Sequence, residues 1–498
     1  MERGGPVPVR YIDEHLVVVE RPSSVPLRNP YPIEDEPLGG LLDTVACVLG
    51  EPVFEGVRLG QGASGLVVLG RSQEAARAIK RAAGQGELRW GVLALVEGAG
   101  RLGEGMRTVA RVGARSLVEL AFSQGSLKTV RKALRATGAS IVEDHPHGLR
   151  LMSVEGRHPV TSQPWSVSCR HDGGARDLLE GRLNTVALVQ EAFGRRAACA
   201  LDGETDCFRV IGEDADGLPG VVVDRFGPVA LLHLREGLYQ GTRAEAKALA
   251  QALVDEVDGV QSVFLRRVAK GGKAEALEET PLAGEPIESD ALVVRERGLK
   301  YRIELHHGMS PGIFLDQRHN RARVRRMSRG KRVLNTFAHT CGFSVVAGEG
   351  GASEVVSVDV LRRYLDWGRD NVALNGLDAD KQIFIASDTI DYCRRAARQG
   401  RRFDVIILDP PTFGRDKRKR RTFSVVRDLG PLIKASVDIL NPGGHLMLCT
   451  NHRASSMKDL RGALRAGGRP FEITLEPLLP PDYVGQKGFT KTLWARFE

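Results

Sequence analysis

Aromatic residues are scarce: Phe, Trp and Tyr make up 5% of 498 residues, too few for a broad platform on which successive bases stack. Cysteine is sparse as well. The seven cysteines (47, 169, 199, 207, 341, 393 and 449) are odd in number, widely spaced and without a Cys-x-x-Cys pair. That argues against a disulfide framework or a thiolate zinc site, and no metal is expected. No stretch reaches the roughly 18 uninterrupted apolar residues of a membrane span, and the opening Met1-Glu-Arg-Gly-Gly-Pro6 carries no apolar signal region. A reduced, cytoplasmic protein without a membrane partner is expected.

An apolar fraction of 42% with 27% charged residues is that of a folded globular chain, and at roughly 150 residues per domain the length suggests about three domains. Lys and Arg number 71 against 62 acids, a net charge of +9, and the excess is concentrated. Residues 318–332 carry Arg318, Arg321, Arg323, Arg325, Arg326, Arg329, Lys331 and Arg332, and 415–421 read Arg-Asp-Lys-Arg-Lys-Arg-Arg. Both runs fit a polyanion footprint, since each phosphate neutralised releases counterions; a solvated helix face or loop is the plain alternative.

Punctuation divides the chain into three expected domains, 1–172, 177–300 and 301–498. The first break is the polar, Gly-rich stretch 171–176; the second is the charged stretch 270–286, a long hairpin loop or a linker. From 331 onward, short aliphatic runs alternate with helical stretches, the form of a parallel α/β sheet. Strands are expected at 331–335, 354–359, 382–386, 403–409 and 445–449, with helices over 343–348 and 361–375.

Ligands of such sheets bind at the carboxyl ends of the strands, and polar residues gather there. Thr340 and Gly342 follow the first strand, Asp359 closes the second and Asp388 follows the third; Asp409-Pro410-Pro411-Thr412-Phe413 closes the fourth and Asn451 follows the fifth. An acid ending the second strand can accept two ribose hydroxyls, and a loop entering a helix can hold a carboxylate. A nucleoside cofactor suits that arrangement, although a lone strand-end Asp can equally cap a helix. These loops carry neither Gly-x-Gly-x-x-Gly nor a phosphate-binding Gly-x-x-x-x-Gly-Lys-Ser/Thr, which disfavours a dinucleotide or ATP. Two prolines after a buried strand fix an extended turn that presents carbonyls, with Phe413 placed to stack a flat base. A rigid strand-to-helix turn is the alternative.

The segments Asp216-Gly-Leu-Pro-Gly220, Gly312-Ile-Phe-Leu-Asp-Gln-Arg318, Val333-Leu-Asn-Thr-Phe337, Asp409-Pro-Pro-Thr-Phe413 and Asn441-Pro-Gly-Gly444, in this order, resemble the class I S-adenosylmethionine-dependent methyltransferases, specifically the bacterial 23S rRNA base methyltransferases. The similarity covers about 184–498. It implies a Rossmann-like α/β methyltransferase sheet, preceded by a small α/β module that helps position RNA. It also implies S-adenosyl-L-methionine as cofactor and 23S rRNA or a large-subunit precursor as partner. The resemblance places the cofactor on Asn335, Phe337, Thr340, Cys341, Gly342, Asp359, Val360, Asp388, Thr389 and Asp409, with Asp359 on the ribose and Asp388 on the adenine edge. It places the target base on Asp409 through Phe413, and RNA on Asp316, Arg318, Lys417, Arg418, Asn451 and Arg453. One position departs: the family's motif has Gly where this chain has Cys341, and glycine lets the backbone approach the cofactor at positive φ.

Two chemistries occur in that family. Cytosine C5 is not nucleophilic and needs a cysteine to add covalently at C6. Guanine N7 has an in-plane lone pair and needs only alignment with the methyl sulfonium and tolerance of the cation formed. Residues 409–428 and Thr450-Asn-His-Arg453 are most similar to the guanine-N7 branch, and the cytosine enzymes carry their cysteine where this chain has Asn451. Guanine N7 methylation is therefore expected. Cytosine C5 methylation through Cys449, which shares a strand face with Asn451, and a non-catalytic RNA-binding or ribosome-assembly role are the alternatives.

Residues 8–168 resemble the RluA-like pseudouridine synthases through Tyr11-Ile-Asp-Glu-His-Leu-Val-Val-Val-Glu-Arg-Pro22, the run 57–66 and Gly125-Ser-Leu-Lys-Thr-Val-Arg131. The family's His-Arg-Leu-Asp reads Val57-Arg58-Leu59-Gly60 here, and Val92 stands at its active-site Tyr. Without that carboxylate, uridine isomerisation is not expected. The resemblance implies an inactive N-terminal α+β fold, either an RNA-binding appendage with Arg58, Lys128 and Arg131 on phosphates or a structural remnant.

Overall fold

The computed structural model describes residues 9–21, 41–49, 51–57, 63–98, 102–103, 105–123, 127–141, 148–169, 185–196, 204–216, 218–270, 274–289, 291–307, 310–416, 421–452, 454–475, 479–483 and 490–498. They fall into two compact units, 1–286 and 287–498.

The first unit holds two sheets. One has ten strands and opens on a hairpin, Val9–Ile12 against Leu16–Arg21. Its apolar face, with Leu16, Val18, Leu66, Val92, Val118 and Leu151, packs on Ile79 and Leu134 of the helices Gln73–Gln85 and Leu127–Ala136. The second sheet has six strands, in which Val229–Arg235 and Ser262–Val268 run parallel across the helix Arg243–Glu256. Ala274–Leu277 and Ala283–Gly284 both pair antiparallel with Ser262–Val268. Two short segments of 270–286 thus join the sheet, which ties this stretch to the module as the hairpin-loop alternative requires: once they pair, their backbone groups are satisfied inside it.

The second unit begins with a hairpin, Ala291–Glu296 paired with Leu299–Glu304, so a boundary at 300/301 would cut it. Behind it stand α1 (Arg318–Met327) and a seven-stranded sheet: β1 (Arg332–Thr336), β2 (Glu354–Asp359), β3 (Gln382–Ala386), β4 (Phe403–Leu408), β5 (Leu440–Thr450), β6 (Phe471–Leu475) and β7 (Lys491–Phe497). The order is β3-β2-β1-β4-β5-β7-β6, parallel from β3 to β5, with β7 antiparallel to both β5 and β6. Helices α2 (Gly342–Glu349), α3 (Arg362–Leu374), α4 (Thr389–Arg398) and α5 (Val425–Val437) connect or cover these strands. This is a mixed α/β, Rossmann-like sheet. Leu334, Val356, Ile406, Leu408 and Leu446 are fully buried, as expected of parallel strands covered on both faces. Strand order reverses between β1 and β4, which opens the ligand crevice at their carboxyl ends.

Helix α1 is strongly basic yet turns much of its charge inward. Arg321 donates to both oxygens of Glu296 at 2.7 and 2.6 Å, while Arg318 donates to both oxygens of Asp482 at 2.8 and 3.2 Å. Each of the four is at most 3% exposed. Burial alone would raise the Glu296 carboxyl; Arg321 and Arg318 outweigh it and hold the group below its usual range. Arg318, expected to face RNA, instead has its guanidinium inside the fold, because two acids distant in sequence converge on it. Removing one partner of a buried pair leaves an uncompensated charge, at a cost of about 3–5 kcal/mol. Glu296→Ala should therefore lose about that much stability, read from the urea midpoint of the second unit's transition.

Candidate active site

Strand β1 ends in the loop 337–341, where Phe337, His339 and Cys341 take left-handed φ of 52°, 47° and 62°. Such backbone costs of order 1 kcal/mol per non-glycine residue and persists only where surroundings dictate it. Four hydrogen bonds do so here. The Ala338 N–H donates to the Val358 carbonyl and the His339 N–H to Asp359 Oδ2, each at 3.0 Å. The Thr340 hydroxyl donates to the Gly312 carbonyl, and Asn371 Nδ2 donates to the Thr340 carbonyl at 2.9 Å.

Asp359 takes the Leu361 N–H on its other oxygen at 2.9 Å. Burial raises its carboxyl in spite of these donors, and each oxygen retains acceptor capacity for a hydroxyl. Beside it, Val360 and Leu361 are each 41% exposed; Phe314, 47% exposed, lies 5.1 Å from the His339 ring. Apolar side chains left in water next to a half-buried acid fit a flat nucleoside.

The other expected cofactor residues divide. Asn335, 1% exposed, donates to Ser344 Oγ at 2.9 Å and ties β1 to α2. Asp388 Oδ1 accepts the Asp391 N–H at 3.0 Å and caps α4, which begins at the buried Thr389. Cys341 precedes Gly342 at the start of α2, is fully buried, and belongs to a small cluster with Ala338 and Leu365; burial pushes its thiol up to about 12. Its side chain therefore points into the core. The neighbouring Gly368 has no Cβ, and one placed there would lie 2.3 Å from Cys341 Sγ.

Across the crevice, β4 leads directly into Asp409, half-buried and followed by the buried Pro410 and the exposed Pro411. Burial and the neighbouring Asp316 push the Asp409 carboxyl up to about 7. Asp316 accepts the Thr490 hydroxyl. Gln317 Nε2 donates to Asp409 Oδ2 at 3.2 Å and to Cys449 Sγ at 3.0 Å. Cys449 is fully buried, 3.1 Å from Thr492 Oγ1, and burial raises its thiol well above the ordinary value. The Thr412 hydroxyl donates to Asn451 Oδ1 at 2.7 Å, bringing together the loops after β4 and β5. Phe337 lies 5.4 Å from Phe423, on the strand Arg421–Ser424 that pairs with Phe413–Asp416.

Lys417, Arg418, Arg453 and Arg58 lie outside the described residues, as do the side chains of Phe413 and Lys128. Arg131 is half-buried on the helix Leu127–Ala136 of the first unit. Within 318–332, Arg325 pairs with Glu349 and Arg332 with Glu354, while Arg326, Arg329 and Lys331 are exposed. Among the described residues, no group of three or more His, Cys, Asp or Glu is placed to hold a metal ion, and no helix is long and apolar enough to cross a membrane. Phe314, Gln317 and Phe423 stand within segments that carry the resemblance but have no role of their own there; Asn320 and Trp494 carry no signal in their spacing.

The family of S-adenosylmethionine-dependent methyltransferases matches residues 214–465. The chain is 33% identical over 328 residues to ribosomal RNA large subunit methyltransferase I of Klebsiella pneumoniae (strain 342), covering 66% of this chain and 78% of that protein. It is 37% identical over 261 residues to the protein of the same name from Escherichia coli (strain K12), covering 52% and 64%. Among solved structures, one described as a methyltransferase complexed with SAH superposes with a TM-score of 0.56 at 23% identity, over 70% of this chain and 88% of that one. A SAM-dependent methyltransferase from Streptococcus mutans gives 0.55 at 22%, over the same shares. These two similarities support the fold.

The crowding at Cys341 is testable. Gly368→Ala should destabilise the protein by about 1–3 kcal/mol through overpacking, and Cys341→Gly should recover most of that loss. A double-mutant cycle by chemical denaturation should give a coupling of about 1–2 kcal/mol; additivity would contradict the contact.

Proposed function

Since this chain belongs to the family of S-adenosylmethionine-dependent methyltransferases, we propose that it methylates a base of large-subunit rRNA, at guanine N7. S-adenosylmethionine supplies an electrophilic methyl on a sulfonium, so the protein needs neither metal nor phosphate loop for the transfer. In this reading Asp359 takes the ribose hydroxyls, and Val360, Leu361 and Phe314 border the adenosine. The loop 337–341 opening into Gly342 faces the methionine part, and Asp388 and Thr389 edge the adenine side. Asp409 accepts from the base, Thr412 and Asn451 frame it, and the exposed Arg326, Arg329 and Lys331 join Lys417, Arg418 and Arg453 in drawing in RNA.

The observation that carries the choice of base is the state of Cys449. Adding to cytosine C6 needs an accessible thiolate, whereas this thiol is fully buried, bonded to Gln317 and Thr492, and raised by burial. Guanine N7 makes no such demand. An ionised Asp409 can accept guanine's N1–H and amino N–H and offset the positive charge that N7 methylation creates.

Incubation with methyl-labelled S-adenosylmethionine and undermethylated rRNA, followed by nucleoside mass spectrometry, should place the label in 7-methylguanosine. Cys449→Ser should still yield that product; label in 5-methylcytidine, lost in Cys449→Ser, would overturn the guanine reading. Failure to bind the cofactor by calorimetry would favour an assembly factor.

The raised carboxyl has a second consequence. With a folded value near 7 and an ordinary value of 3.8, Asp409 must lose its proton to act as acceptor. kcat/KM should fall on the order of tenfold per unit below pH 7. The same shift means that the unfolded chain releases this proton more readily, so the stability contribution declines as pH rises from about 4 through 7. Asp409→Asn should therefore abolish methylation and raise Tm at pH 8.5, with a much smaller gain at pH 5.

A further inference from the structure

A chain of buried hydrogen bonds runs from β7 to Asp409, and one donor dictates its direction. Trp494 is fully buried, and its indole N–H can only donate; it donates to Asn320 Oδ1 at 3.2 Å. Asn320 must then turn Nδ2 the other way, to Gln317 Oε1 at 2.7 Å and Thr492 Oγ1 at 3.2 Å. With its oxygen engaged, Gln317 has only Nε2 left for Asp409 and Cys449, at 3.2 and 3.0 Å. The two orientations of a side-chain amide look alike by shape; here the indole decides between them. Asn320, Gln317 and Thr492 are 5%, 2% and 5% exposed, which leaves little room for water to compensate a flipped amide.

We propose that Trp494, Asn320 and Gln317 are positioning residues that keep Asp409 a hydrogen-bond acceptor, and that this polarity selects guanine. The inference rests on Asp409 facing the target base. A neutral carboxylic acid offers one donor and one acceptor, which matches the N1 and amino edge of adenine or the N3 and amino edge of cytosine. A carboxylate offers acceptors only, which matches guanine's N1–H and amino group. An amide that can only donate to Asp409 favours the ionised form, because hydrogen bonds to charged acceptors are the stronger ones. If the chain from Trp494 is broken, Gln317 can rotate and offer its oxygen, which favours the neutral acid.

The test is the pH profile of kcat/KM for methyl transfer to rRNA by the full chain. In Trp494→Phe and in Asn320→Ala the acid limb should move upward by roughly half a unit to one unit, with activity returning to within about twofold of wild type at pH 9. Two variants are used because each breaks the chain at a different link, so poor folding of one leaves the other as the reporter. A uniform loss of rate at every pH, with the acid limb unmoved, would mean the network only supports packing and would overturn the proposal. Wild-type turnover by Asp409→Asn would instead remove its premise, and that outcome is distinct because it leaves no acid limb to move.

Discussion

Strands β1, β2, β4 and β5 are covered on both faces, and everything polar in the catalytic unit is arranged around that fact. A side chain on such a strand meets apolar neighbours wherever it points. Polar groups within the strands are therefore few, and those of β1 are bonded: Asn335 donates to Ser344, and the Thr336 hydroxyl donates to the Ile407 carbonyl at 2.7 Å. The carboxyl ends are the first positions free of this constraint, and Asp359, Asp409 and Asn451 stand at or just beyond them. Half-burial there raises both aspartates, so the fold that concentrates acceptors at the crevice also tunes them.

The antiparallel end of the sheet has a part in this. Inserting β7 beside β5 sets Thr492 opposite Cys449 and Trp494 opposite Met447, placing a polar wall behind the carboxyl end of β4. Helix α1 closes the other side with Gln317 at its N-cap and Asn320 in its first turn. Its own position depends on Glu296 and Asp482, which neutralise Arg321 and Arg318. A structural ion cluster and the hydrogen bonds reaching Asp409 thus issue from the same short helix, so loss of the cluster would be felt at the carboxylate.

Much of this is legible in sequence, and what is not falls to ambiguous local patterns and to pairings between distant residues. Strands β2 and β3 coincide with the expected 354–359 and 382–386, because a buried parallel strand writes itself as an aliphatic run bounded by polar residues. β5 begins earlier than expected, at Leu440, since Asn441-Pro-Gly-Gly444 reads as a turn but continues the strand. β6, β7 and the hairpin 291–304 left a weaker trace; β6 and the strand Ala291–Glu296 alternate in exposure, and short amphipathic strands resemble loops in a single sequence. The basic run at 318–332 reads as a phosphate surface because like charges look solvated when their partners are unseen. Glu296 lies 25 residues before Arg321, and Asp482 lies 164 beyond Arg318. Gln317 reaches Asp409 and Cys449 over separations of 92 and 132. Local pattern carries secondary structure and strand-end acids; pairings across such separations are set by topology.

Cys341 shows how far local rules extend. A glycine at this left-handed position would follow from φ alone, and the cysteine found there suggests at first a weakened cofactor loop. Its neighbours supply a different account. Asp359, Val358, Gly312 and Asn371 hold the loop through hydrogen bonds at residues 338–340, and the missing Cβ of Gly368 makes room for the sulfur. The freedom that glycine would have provided within the loop is supplied instead by a glycine on the opposing helix, and the side chain becomes part of the packing beneath the crevice. Because the strain is balanced by contacts that converge on Asp359 and Thr340, the shape of the loop is a property of the assembled sheet, and substitution at Cys341 acts on the crevice through packing.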